Sequence, residues 1–106
     1  MKALNRIRKS EDFAFAIKKG TAKRNPSFVV HYIKNELGYA RIGVSVSSKL
    51  GCAVTRNRIK RQMRAMSMEI INVDDCSYDV VIVAKSGFLD RTYQENKALL
   101  AQLITL

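Results

Sequence analysis

"YARIGVSVSSKLGCAVTRNRIKRQMR", residues Tyr39 to Arg64, changes its period midway, and that change decides the architecture. Up to Ser47 the chain alternates strictly. Ala40, Ile42, Val44 and Val46 fall on one face, and Tyr39, Arg41, Gly43, Ser45 and Ser47 on the other, the pattern of a half-buried strand with a flat, polar second face. Beyond Thr55, Ile59, Met63, Met66 and Ile70 recur at i, i+4, i+7 and i+11, a narrow apolar stripe at about 100° per residue, so a helix follows. The stripe is core. Ser48 to Val54 reads as the connecting loop, and Thr55 is the predicted cap.

The helix is unusual in its charge. Thr55 to Arg64 carries five basic side chains and no acid. Arg56, Lys60 and Arg64 share one face at i, i+4 and i+8, with Asn57 and Arg61 beside them, fanning across the side opposite the stripe. Like charges at that spacing each cost an isolated helix a few tenths of a kcal/mol. Something outside the helix must offset that repulsion.

Working outward, "YDVVIVA" (Tyr78 to Ala84) is near-continuously apolar, as expected of a central strand buried on both faces. Thr92-Tyr93-Gln94-Glu95 is a capping box that opens a last helix, with Leu99, Leu100, Leu103 and Leu106 facing inward. On the N-terminal side, "SFVVHYIK" (Ser27 to Lys34) predicts a strand after Pro26. Ser10 is the predicted cap of a first helix that carries Phe13, Ala16 and Ile17 on one stripe and stops at Gly20, with Phe15 off the stripe. Met1 to Lys9 is a basic arm without clear periodicity. The order α-β-β-α-β-α, with a possible extra short strand, predicts an α+β sandwich around a mixed sheet of about four strands. Residues 1–106 form one domain. A β-α-β unit is by general rule a right-handed parallel crossover.

The net charge is +10, from 19 Lys and Arg against 9 Asp and Glu, and the pI is near 10.0. The excess lies in residues 1–72, with sixteen bases and four acids, concentrated in the arm and around 56–64. Solubility needs a net charge of only about 2–8 in a small domain. Clustered bases at this pI are the footprint of a polyanion binder. The first residues lack the apolar stretch of a signal peptide, and "VVIVA" is far too short to cross a bilayer. Cys52 and Cys76 form no metal or redox motif and read as reduced thiols. The expectation is a cytoplasmic protein without a membrane partner.

No self-contained active site emerges. His31 has no ligand-spaced Cys or carboxylate, so metal binding is not expected. The acids are scattered, with Glu11 and Asp12 at a helix start, Asp74 and Asp75 in a loop and Glu95 in a capping box, and none reads as an acid/base pair; no phosphate-binding glycine motif occurs. Binding remains. Guanidinium forks match phosphate oxygens, and the aromatics Phe13, Phe15, Phe28, Tyr32 and Tyr39 are core residues or stacking platforms for unpaired bases. A DNA-binding regulator is disfavoured, because a strand and not a short helix precedes the basic helix.

Arg41 to Arg64 strongly resembles the signature of the bacterial ribonuclease P protein subunit. That family reads R-x-G-x-S-V in a strand, then K-x-x-G-x-A-V, then R-N-R-x-K-R-x-x-R. Here these are Arg41, Gly43, Ser45, Val46, Lys49, Gly51, Ala53, Val54, Arg56, Asn57, Arg58, Lys60, Arg61 and Arg64, with Leu50 where a second lysine is common. "EDFAFAIKKG", "YDVVIVAK" and "TYQENKALLAQL" extend the likeness over nearly the whole chain. The resemblance implies a non-catalytic subunit of an endoribonuclease whose catalytic RNA, with Mg2+, removes the 5' leader from precursor tRNA. It implies no cofactor on the protein itself and no required protein partner. It implies that Arg56, Asn57, Arg58, Lys60, Arg61 and Arg64 contact the RNA subunit. It implies that Phe13, Ile17, His31 and Lys60 line a leader cleft between the first helix and the sheet. It also implies a left-handed crossover, against the general rule. Ile17 and His31 stand where aromatics are common in the family, with Tyr32 beside His31, and the basic C-terminal tail of many relatives is missing. The alternative reading is a ribosomal-type RNA-binding protein with no role in cleavage.

Overall fold

The computed structural model describes residues 3–104. Four strands form one mixed sheet in the order β1-β2-β4-β3: β1 (Thr21–Arg24), β2 (Phe28–Lys34), β3 (Arg41–Val46) and β4 (Tyr78–Ala84). β1 and β4 flank β2 in antiparallel pairing. β3 runs parallel to β4, with Ile42 opposite Val80 and Val44 opposite Ile82. The helices are α1 (Ser10–Lys19), α2 (Ala53–Ile70) and α3 (Tyr93–Leu103). The α+β class and the mixed four-stranded sheet are as the sequence predicts, and α2 is the connection between the parallel pair.

The period-2 pattern of each strand divides the sheet into two faces. Phe28, Val30, Ile42, Val44, Val46, Val80 and Ile82 pack against Ile59, Met63 and Met66 of α2 and Leu100 and Leu103 of α3 in the main core. On the other face Val81 meets Ala16 of α1 and Ile7 of the arm, with Phe13, Ile33 and Val83 around them. β4 is therefore covered on both sides, which is why its sequence does not alternate.

Several boundaries differ from expectation. α2 begins at Ala53 after Cys52, so Thr55 lies inside the helix; its hydroxyl sits 3.6 Å from the Cys52 thiol. Ser10 is the first residue of α1, after Lys9, and makes no side-chain cap. The capping box of α3 is as predicted: Thr92 accepts from the Glu95 N–H and Glu95 accepts from the Thr92 N–H. Leu99 is only half-buried, and Leu106 lies outside the described residues.

The arm is not featureless. Asn5 is buried and donates from Nδ2 to the Ala40 carbonyl at 2.8 Å, and the Ile7 N–H donates to the Ile42 carbonyl at 3.1 Å. Arg6 bridges Ile42 in parallel fashion, so the arm extends the sheet beyond β3. Two further polar residues are buried with partners. The Ser27 hydroxyl donates to Asn96 Oδ1 at 2.7 Å, and Asn96 Nδ2 donates to the Phe88 carbonyl at 3.0 Å. That link ties the start of β2 to α3, which satisfies groups whose burial would otherwise be costly.

Gly20 ends α1 against the backbone of β2. A Cβ there would lie 2.4 Å from the Ala16 carbonyl oxygen and 2.6 Å from that of Tyr32. Neither atom can swing aside. Gly20→Ala is expected to cost about 1–3 kcal/mol of unfolding free energy, read as a lower denaturant midpoint at unchanged slope; an unaltered midpoint would contradict the close approach.

Candidate RNA interface

Gly51, at φ +146°, carries the chain from β3 into α2, and no acidic residue occupies the first turn of that helix. The N-terminal end of a helix carries partial positive charge. Basic side chains added there raise a field that attracts anions and repels the helix's own cations. The exposed set is Asn57, Arg58 and Arg61, whereas Arg56, Lys60 and Arg64 are half-buried. This differs from a fan opposite the core stripe. Ser67, fully buried and donating to the Met63 carbonyl at 2.7 Å, widens the buried side toward the Arg56-Lys60-Arg64 row. That row therefore borders the core and turns toward β3 and α1.

None of these cations is paired. The ion pairs among the described residues are Arg41 with Asp12 and Asp79, and Lys97 with Glu69. Arg56 Nε is buried without a hydrogen-bond partner. Burial, with the nearby charge of Arg6, pulls the Arg64 pKa below its usual value. Arg41 is the opposite case. It donates to both oxygens of Asp79 and reaches Asp12 at 3.3 Å, and the hydrogen bond to Asp79 raises its pKa.

α1, β3 and α2 enclose an open groove of about 550 Å³. Phe13 and Ile17, one turn apart on α1, form an apolar wall, Ser45 and Val46 the floor, and Lys60 and Arg8 the cationic lips; no carboxylate lines it. Gly43 makes this possible, since any Cβ there would fall 2.4 Å from Phe13 Cε2. The polar face of β3 is thus partly roofed by an aromatic ring, and Gly43 is buried.

Of the residues expected around a leader, Phe13, Ile17 and Lys60 share this groove. His31 does not line it. It lies on β2 opposite Val81 and Ala22, on the α1 side of the sheet but separated from β3 by β4. Its Nδ1 has no partner, and burial, then the charge of Arg24, lowers its pKa. Tyr32 packs against the main core and meets Tyr78 edge-on at 6.0 Å. Phe28 is wholly buried, whereas Phe15 is 54% exposed on α1. Sequence reasoning missed Arg6 and Arg8 as members of this surface. The sequence marks the arm as basic, but the alternation in "NRIR", with Asn5 and Ile7 buried and Arg6 and Arg8 exposed, is set by how the arm docks. Among the described residues, no three His, Cys, Asp or Glu side chains gather to hold a metal ion, and no helix is long and apolar enough to cross a membrane.

A groove with an apolar wall and cationic lips suits a flexible polyanion with unpaired bases. Stacking on such walls is worth about 1–3 kcal/mol per base, and the cations add a sequence-independent attraction.

The family model described as Ribonuclease P matches residues 1–105. A Ribonuclease P protein component of Mesoplasma florum is 42% identical over 105 residues, covering 98% of this chain and 96% of the relative. One of Bacillus cereus is 43% identical over 98 residues, covering 92% and 85%. The solved RNase P protein of Staphylococcus aureus superposes with a TM-score of 0.84 at 36% identity, covering 97% of this chain and 94% of that one. The Thermotoga maritima RNase P protein does so with a TM-score of 0.81 at 29% identity, covering 95% and 96%. The chain belongs to the ribonuclease P protein family.

Proposed function

We propose that this chain binds the catalytic RNA of ribonuclease P through α2 and receives the 5' leader of precursor tRNA in the α1–β3 groove, promoting 5' maturation without performing the chemistry itself. The observation that carries this reading is the row of unpaired cations on α2 beside a groove walled by Phe13 and Ile17. Arg56, Arg58, Lys60, Arg61 and Arg64 supply charge that phosphates neutralise, and Asn57 offers an amide to a base edge or a 2'-hydroxyl. Lys60 faces both surfaces, as a lip of the groove and a member of the basic row. A leader lying there sets the precursor's orientation on the catalytic RNA. Mg2+ in this reading is bound by the RNA and supplies the hydrolytic chemistry.

His31, kept toward its neutral form, suits stacking or hydrogen bonding more than phosphate contact. Its position beyond β4 supports a role only for a leader long enough to pass α1.

Cleavage of a precursor tRNA at low Mg2+ tests the proposal with three samples: catalytic RNA alone, protein alone, and both. The expected result is 5' maturation with both, little with the RNA alone and none with the protein alone. Cleavage by the protein alone would refute the division of labour, and no gain on adding the protein would refute the assignment.

Phe13→Ala removes the aromatic wall and is expected to weaken binding of precursor with a leader by about five- to 150-fold, in line with a loss of about 1–3 kcal/mol. Mature tRNA should bind as before. Equal losses for the two substrates would take Phe13 out of the leader groove.

A further inference from the structure

The N-terminal arm carries a second, independent arrangement of cations. Asn5 and Ile7 are buried; Asn5 is hydrogen-bonded to Ala40, just before β3, and Ile7 to Ile42 within it. Arg6 and Arg8, alternating with them, are both exposed. The arm's backbone therefore holds these two arginines in place without help from their own side chains.

Arg6 borders three neighbouring hollows. One of about 260 Å³ is shared with Arg8, Phe13, Gly43 and Arg64. A second, of about 330 Å³, lies between Arg6, Arg64, Ala65 and Met68. The third, of about 340 Å³, extends toward Tyr39 and Arg41. The first also shares Arg8 and Phe13 with the α1–β3 groove, so the two adjoin. Asp12 is the one carboxylate lining any of the three hollows, and Arg41 already engages it.

We propose that Arg6 and Arg8 of the arm and Arg64 of α2 form a seat for one backbone phosphate of a bound RNA, making the arm a third wall of the interface. The inference rests on the RNA-binding reading above. Two elements far apart in sequence bring like charges together at a seam partly withdrawn from water, and no protein carboxylate offsets them there. An anion does. The effect of Arg6 on Arg64 already noted is the electrostatic trace of that arrangement. A phosphodiester fits because guanidinium forks can hold its oxygens from two sides at once. The chemistry is the same whether the phosphate comes from the catalytic RNA or from the leader.

The test uses the full-length protein with Arg6→Ala, Arg64→Ala and the double variant. Binding is measured to the catalytic RNA alone, then, in the assembled complex, to precursor and to mature tRNA, each over a range of salt. Each single variant is expected to weaken one of these interactions about tenfold, the size of one charged hydrogen-bonded contact. The log–log salt slope should fall by about 0.7 to 0.9. Because one phosphate is shared, the double variant should lose much less than the product of the single losses, and its slope should drop once. Loss on the catalytic RNA, or on precursor but not mature tRNA, identifies the source. Losses under twofold everywhere, or independent losses with two drops in slope, would overturn the seat. So would a fall in thermal midpoint with an unchanged slope, since that marks a structural role. Arg61→Ala serves as the control: if it weakens binding to the catalytic RNA while the seam variants do not, only the seat fails. If none of them matters, the RNA-binding reading fails as well.

Discussion

Arg41 is the constraint on which the interface depends. Its guanidinium, on β3, joins Asp79 of the neighbouring strand β4 to Asp12 in the first turn of α1. Asn35 completes the cluster by donating to Asp79 Oδ1 at 2.9 Å. This partly buried network fixes the start of α1 relative to β3, and so sets one end of the groove that Phe13 and Ile17 wall. Removing one member of such a cluster leaves the others as uncompensated charge, which is why partly buried pairs of this kind are costly to break.

The same cluster decides which cations are free. It engages two carboxylates, Asp12 and Asp79, on a single arginine. Glu69, at the far end of α2, is occupied by Lys97. The remaining arginines and lysines of the arm and α2 have no acidic partner among the described residues, and the positive end of α2 adds to their field. The repulsion that makes the basic helix a poor isolated helix is therefore carried by the core stripe of Ile59, Met63 and Met66, all buried against the sheet. Scaffold and basic row share one helix, with Arg56, Lys60 and Arg64 bordering the core stripe and Asn57, Arg58 and Arg61 facing outward.

Much of the fold was legible because its signals are local. The alternation of β3, the unbroken apolar run of β4 and the capping box of α3 each reflect a neighbour relation within a few residues. β1 was legible only as a possible short strand, because "TAKR" has no alternation of its own and is recruited to the edge by pairing with β2. The cations of α2 could be read from composition and spacing. Their orientation could not, since buried Ser67 rotates the core side and a serine carries no apolar signal. Gly43 read as part of an open polar face, whereas the ring of Phe13, thirty residues away in sequence, covers it. The residues of the groove came from family resemblance, because the meeting of α1 with β3 is a long-range fact. Arg6 and Arg8 were hidden for the same reason: their direction is set by where Asn5 and Ile7 dock.

The salt dependence of binding to the catalytic RNA tests the central claim most directly, namely that unpaired, preplaced cations provide the attachment. If each cation of α2 neutralises about one phosphate, log affinity should fall against log salt with a slope of roughly −3 to −5. A slope near zero would mean that attachment is not electrostatic, and would contradict the account.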